Sequence, residues 1–204
     1  MAAKRLDRRV ERTQQVLRAA LLSLIQEKGF ESLSVQDVID RANVGRATFY
    51  AHFDNKDDLL ASGIETLRAT LRDRQRRVAP LTAGPHERLF TFSRELFAHA
   101  NEHRTVFRAM VGKRSGAIVQ QLLHKMLVDL VRDEVSVLRP RRGAEAVDAE
   151  AIAQFIGGGL FGLLMWWGNG KMRLPVDEVD ALFRRLAIPA ITAEVPQRGP
   201  ESVI

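Results

Sequence analysis

Between Val10 and Glu27 the apolar residues Val10, Leu17, Leu21, Leu24 and Ile25 return at steps of three, four and seven, the period of an α-helix. Helical character also marks 34–42, 46–53, 55–78, 86–100, 105–111, 116–138, 149–167 and 176–188, and the segments are separated by Gly, Pro or charged breaks. No segment alternates apolar and polar residues as a strand would, so there is nothing from which to build a sheet. The chain is therefore expected to be all-α, with about nine helices. Its 204 residues suffice for one large domain or two small ones with a real core.

Chemistry narrows the classes further. With no cysteine, the chain has no disulfide framework, no thiol nucleophile and no thiolate zinc site, which fits a reducing cytoplasm. The first fifteen residues carry charges where a secretory signal needs an apolar run, so no such signal is expected. Lys4, Arg5, Arg8, Arg9 and Arg12 face only Asp7 and Glu11 and form a basic arm leading into the first helix. A net charge of +6 suits a polyanionic partner but does not single one out.

The segment 34–53 has a distinctive layout. Gly29 stops the first helix. Ser34 and Asp37 then have capping-box spacing, and Leu33 and Val38 have that of a hydrophobic staple. The helix so begun is short, because after Val38, Ile39 and Ala42 it meets Asn43, which tolerates the left-handed conformation. Gly45 can cap a third helix whose Phe49 and Phe53 share one face, for the core, and whose other face is polar. Asp54 or Asn55 caps a fourth. Two short helices joined by a tight turn describe a helix-turn-helix, in which the second helix enters the major groove, although a plain helical hairpin has the same local signals.

The runs Gly29-Phe30, Ser34 to Val38, Ala42-Asn43-Val44-Gly45, Thr48 to Phe53 and Lys56-Asp57-Asp58-Leu59-Leu60 together resemble the TetR/AcrR family of bacterial transcriptional regulators. The resemblance covers about the first quarter to third of the chain. It implies a helix-turn-helix DNA-binding domain over 1–57 and a ligand-binding and dimerisation bundle over 58–190, while the residues over 191–204 lack any core pattern and are expected to be a mobile tail. It also implies a cytoplasmic, nucleoid-associated homodimer, bound to double-stranded DNA at a palindromic operator and released by a small apolar or amphipathic effector, with no cofactor and no membrane partner. Asn43 and Gly45 stand where relatives often have Gly and Ser or Thr, and both substitutions suit the backbone required.

On that reading Arg46 can grip guanine, and Ala47 can meet a thymine methyl. Thr48 and Tyr50 carry hydroxyls for phosphate or base. His52 is placed between phosphate contact and packing. Ser34 serves as cap and phosphate donor together, while Lys56, Lys4 and Arg5 supply charge to phosphates. Phe92, Phe107, Met110, His124, Met126, Phe161 and Trp166 can line a cavity, although Met and Phe at helical spacing equally fill a core. Gly158, Gly162 and Leu182 are expected at the dimer interface.

Two rival readings follow from other segments. Residues 151–169 are uncharged and nearly long enough to span a bilayer, but Gln154 and four interior glycines weigh against that. Each interior glycine costs roughly 0.8–1 kcal/mol relative to alanine, so close helix packing has to compensate. No assembled catalytic motif is present, which leaves a motif-less hydrolase as the enzymatic alternative. His99 and His103 have the i, i+4 spacing of a metal pair, but no carboxylate pattern completes a site, and no metal is expected.

Overall fold

The computed structural model describes residues 2–78, 89–111, 117–138, 144–170 and 172–192. Among the described residues there are nine helices and no strand: α1 (Ala2–Lys28), α2 (Val35–Ala42), α3 (Arg46–Tyr50), α4 (Lys56–Val78), α5 (Thr91–Glu102), α6 (Arg104–Val111), α7 (Ala117–Leu138), α8 (Ala144–Asn169) and α9 (Val176–Thr192). The expected 80–85 linker lies outside the described residues.

Local chemistry sets the helix ends in the N-terminal part. Gly29 adopts φ 79° and closes α1 with its N–H donating to Ile25 O at 3.0 Å. The Ser34–Asp37 capping box is fully formed, and Asn43 ends α2 at φ 50°, ψ 51°. Asn55 Oδ1 accepts from Asp58 N at 2.9 Å and starts α4. Leu17, Leu21, Ile25, Phe30, Val38, Phe49, Phe53, Leu59 and Leu60 are buried together and bind the first four helices into one head.

The C-terminal bundle is built around α7 and α8. A Cβ at position 157 would lie 2.7 Å from Val128 Cα, so only glycine lets the two backbones come this close. Gly168 likewise leaves room for the Phe107 ring of α6. Ile152, Ala153, Ile156, Leu160, Leu164 and Trp167 form the buried stripe of α8. By length and composition α8 could cross a membrane, yet this stripe is core packing within the chain. Gly159 and Gly162 face open space, and the compensation expected for all four glycines is thus met inside the chain by Gly157, the one of the four with backbone packed against it.

Several boundaries differ from expectation: α1 begins at Ala2 rather than at Val10, and α8 at Ala144 rather than at 149. Helix α5 begins at Thr91 rather than at 86, with Phe90 ahead of it in the left-handed conformation at φ 57°. Helix α3 ends at Tyr50, and Ala51 and His52 form a turn. Helix α9 continues through Pro189 to Thr192. Pro189 lies on the exposed side, where the carbonyl deprived of its helical partner can meet water, and Ile191, expected in the tail, is buried in the core.

Polar groups tie the helices across the bundle. Arg68 of α4 reaches Asp129 at 3.5 Å and Asp133 at 3.4 Å on α7, and Arg72 also pairs with Asp133. Arg132 bonds Asp129 and holds Glu150 of α8 in a fork at 2.7 and 2.8 Å. Burial works against the charge on Asp129, but the hydrogen bonds from Lys125 and Arg132 outweigh it and keep that carboxyl below its usual range. Glu134 is different. It accepts from Phe90 N at 2.6 Å, and burial pushes its carboxyl up to about 7, against the opposing pull of that N–H and of Arg184.

A carboxyl raised in this way is tolerated while neutral and becomes costly when ionised. Its contribution is fully present below the unfolded carboxylate range and is lost as pH rises through about 7. The full span corresponds to about 3 kcal/mol. Urea unfolding should therefore show the Glu134→Gln variant gaining stability relative to the parent between pH 5 and pH 8, by up to that amount. An equal pH dependence in both proteins would show that Glu134 does not titrate in this window.

Candidate nucleic-acid interface

Helix α3 has one buried residue, Phe49, at 0% exposure. Its ring meets Phe53 at 6.1 Å and the edge of Tyr50 at 5.4 Å. With that side anchored, Arg46, Ala47, Thr48 and Tyr50 all face solvent. The Arg46 guanidinium lies 5.7 Å from the centre of the Tyr50 ring, so the two longest exposed side chains of the helix support each other. His52 is half-buried, its ring 6.3 Å from that of Phe53, which places it at the foot of the helix and not on its outer face.

Helix α2 is clamped to α1. Arg41 donates in a fork to both carboxylate oxygens of Glu27 at 2.7 Å and to Ser23 Oγ at 2.6 Å. That fork holds the Glu27 carboxyl below its usual value. Lys28 pairs with Asp37 at 2.8 Å. The Lys28 bond first, and then the Ser34 hydroxyl and N–H, hold the Asp37 carboxyl far below the ordinary carboxylate range. This clamp was not anticipated from the sequence, because its partners lie 14 and 18 positions apart and meet only once α1 and α2 have packed.

Two residues expected at phosphates are engaged elsewhere. The Ser34 hydroxyl donates to Asp37 Oδ2 at 2.7 Å and accepts from Asp37 N at 3.2 Å, so it acts as a cap. Lys56 Nζ donates to the carbonyls of Phe30, Glu31 and Leu33 at 3.1, 3.3 and 2.8 Å and sits 4.7 Å from the Phe30 ring centre. It satisfies the chain ends between α1 and α2, where no helix supplies partners. The side chains of Lys4 and Arg5 lie outside the described residues, whereas Arg8, Arg9 and Arg12 of the same arm are exposed on α1.

In the C-terminal bundle, Phe92, Phe107 and Met126 are buried in the core, and Met110, His124 and Phe161 are half-buried. His124 meets Phe161 edge to face at 5.2 Å. Trp166 does not join them. At 56% exposure it lies on the outer face of α8 and lines a groove of about 490 Å³ there, together with Trp167, Asn169, Gly170, Arg173 and Leu174. Gly162 and Phe155 share that outer face, and Leu186 is exposed on α9. Gly158 turns partly toward His124, and Leu182 is half-buried. Phe155 was missed as a surface residue, although its spacing to 159, 162 and 166 is that of one helical stripe.

A short helix with a polar outer face, braced by two others and followed by a larger helical bundle, has the layout of a helix-turn-helix protein. Residues 17–62 match the model of the tetR family of bacterial regulatory proteins, and residues 87–188 match that of a transcriptional regulator C-terminal region. This chain belongs to the TetR family. It is 38% identical over 71 residues to the uncharacterized HTH-type transcriptional regulator YxbF of Bacillus subtilis (strain 168), a stretch that spans 34% of this chain and 19% of that protein. Among solved structures, a TetR-family regulator from Syntrophomonas wolfei superposes with a TM-score of 0.69 at 18% identity, covering 89% of this chain and 95% of that one. The TetR-family repressor FadR of Thermus thermophilus, in complex with lauroyl-CoA, superposes with a TM-score of 0.62 at 18% identity over 94% and 100% of the two chains.

The bonding of Lys56 predicts how its loss will read out. Lys56→Ala should lower thermal stability by an amount equivalent to about 1.5–3 kcal/mol, the usual worth of hydrogen bonds to a charged donor. The slope of log DNA affinity against log salt should stay unchanged, since no phosphate contact is removed. A slope reduced by about one, with an unaltered melting temperature, would place Lys56 at a phosphate instead.

Proposed function

We propose that this protein is a homodimeric repressor that binds a palindromic operator through α3 and leaves it when a small apolar or amphipathic effector occupies the C-terminal bundle. The observation that carries the reading is the α3 surface, where Arg46, Ala47, Thr48 and Tyr50 are exposed on a helix fixed from behind by Phe49. Arg46 addresses a guanine edge, Ala47 a thymine methyl, and Thr48 and Tyr50 the flanking phosphates or bases. Lys4 and Arg5 extend the contact with the exposed Arg8, Arg9 and Arg12. The head is assigned to 1–57 and the effector and dimer bundle to 58–190, extended to take in Ile191. The working place of such a protein is the cytoplasm, at the nucleoid, and it needs neither a cofactor nor a membrane.

The dimer reading rests on the uncovered face of α8 and α9, where Phe155, Trp166 and Leu186 are 73%, 56% and 65% exposed. A two-fold axis there would bury each apolar side chain against its symmetry mate, with Gly158, Gly162 and Leu182 at or beside the contact. The lauroyl-CoA complex of Thermus thermophilus FadR supports an effector with an apolar part. Phe92, Phe107, Met110, His124, Met126, Phe161 and Trp166 are the residues assigned to contact it. The Arg68 and Arg72 contacts to α7 give the bundle a grip on α4, which carries the head. An effector that favours a different α4 position changes the spacing of the two α3 helices and weakens DNA binding by its differential affinity for that state.

Selection of binding sites from random duplexes, followed by affinity measurements, tests the DNA reading. Arg46→Ala should lose about 1–3 kcal/mol of discrimination at one base pair per half-site while keeping the parent's salt slope within about one unit. A variant with undiminished discrimination would remove Arg46 from base recognition. Sedimentation velocity tests the assembly. Gly162→Glu sets a charge on the open face of α8, where nothing in the chain crowds it, so the variant should remain folded and sediment as a monomer. An intact dimer would take this face out of the interface.

A further inference from the structure

We propose that His99 and His103 form a chelating site for a divalent transition-metal ion at the joint between α5 and α6. His99 lies in the last turn of α5, and His103 is the residue between the two helices, its N–H donating to His99 O at 3.0 Å. Their rings stand 4.6 Å apart, centre to centre, at an angle of 57°, so they are neighbours without being stacked. His103 is exposed and His99 half-buried, which gives an ion access from water and lets water complete its coordination.

The separation itself favours chelation. With metal–nitrogen bonds of about 2.0–2.1 Å and each ring centre about 1.1 Å behind its nitrogen, two imidazoles on one ion have centres roughly 4.5 Å apart at a right-angled bite and roughly 5.2 Å at a tetrahedral one. The observed 4.6 Å lies at the right-angled end of that interval, so the spacing of the two rings is one that a shared ion allows. Imidazole nitrogens select nickel, copper and zinc over magnesium and calcium, which prefer oxygen donors. The C-terminal end of α5 carries the negative pole of the helix and adds to the attraction for a cation.

The place matters as much as the ligands. Among the described residues no cluster of three or more metal-binding side chains occurs, so this is an open two-residue site and not a closed structural one. Helix α6, which starts directly after His103, packs on α1 of the head and seats Phe107 against Gly168 of α8. An ion held by both histidines therefore joins the end of α5 to the start of the helix that touches the DNA-binding part.

The test uses the full chain, freed of metal with a chelator, and titrated calorimetrically with Ni²⁺ and Zn²⁺ and with Mg²⁺ as the control. One Ni²⁺ or Zn²⁺ per chain should bind, with a rise in melting temperature that a chelator reverses, and Mg²⁺ should do neither. His103→Ala, a change at an exposed residue, should weaken binding at least tenfold, as should His99→Ala. His86→Ala, at a histidine given no role, should keep the parent affinity. Binding that survives both the His99 and His103 changes, or no binding of Ni²⁺ and Zn²⁺ to the parent, overturns the proposal.

Discussion

The surface proposed to face DNA depends on the burial of one aromatic ring. Helix α3 has five residues, and an isolated helix of that length does not persist in water, because nucleation is unfavourable and too few hydrogen bonds follow it. Phe49 supplies what the helix lacks. Completely buried among the residues of α1, α2 and the start of α4, it converts tertiary packing into local order, and the side chains at 46, 47, 48 and 50 inherit a fixed direction from it. Every role proposed for those residues requires that order.

Around this anchor the polar contacts divide into two kinds. Those within the head, namely Lys28 with Asp37, Arg41 with Glu27, and Lys56 with three carbonyls, hold short helices whose own apolar faces are small. Those between α4, α7 and α8, centred on Arg68, Asp129, Asp133 and Arg132, hold a long helix against a bundle and are partly shielded from water. The first kind keeps the reading surface rigid. The second connects that surface, through α4, to the C-terminal bundle.

The outer face of α8 shows how one helix serves two packings. Its inner stripe is bound to α7, with Gly157 letting the backbones touch, and its outer stripe carries Phe155 and Trp166 with glycines between them. A helix that is apolar all round is expected to be covered all round. Within one chain only half of it is, and the remaining half is the strongest physical reason for a second copy.

Much of this was legible in the sequence, since periodicity and capping act over three or four residues. The helical period gave the all-α class, Gly29 and Asn43 gave their turns, the Ser34–Asp37 pair gave the start of α2, and Phe49 and Phe53 gave the core side of α3. The polar outer face of α3 was visible for the same reason. Long-range partners were not. Whether Lys56 meets a phosphate or three carbonyls, whether Trp166 packs with Phe92 and Phe107 or lines a groove on the outer face of α8, and which glycine of Gly157, Gly158 and Gly159 receives a neighbouring backbone all depend on how helices distant in the chain approach one another. Short-range hydrogen bonding and side-chain spacing are written into consecutive residues, whereas the use to which a charge or an aromatic ring is put is decided only when tertiary packing determines what stands opposite it.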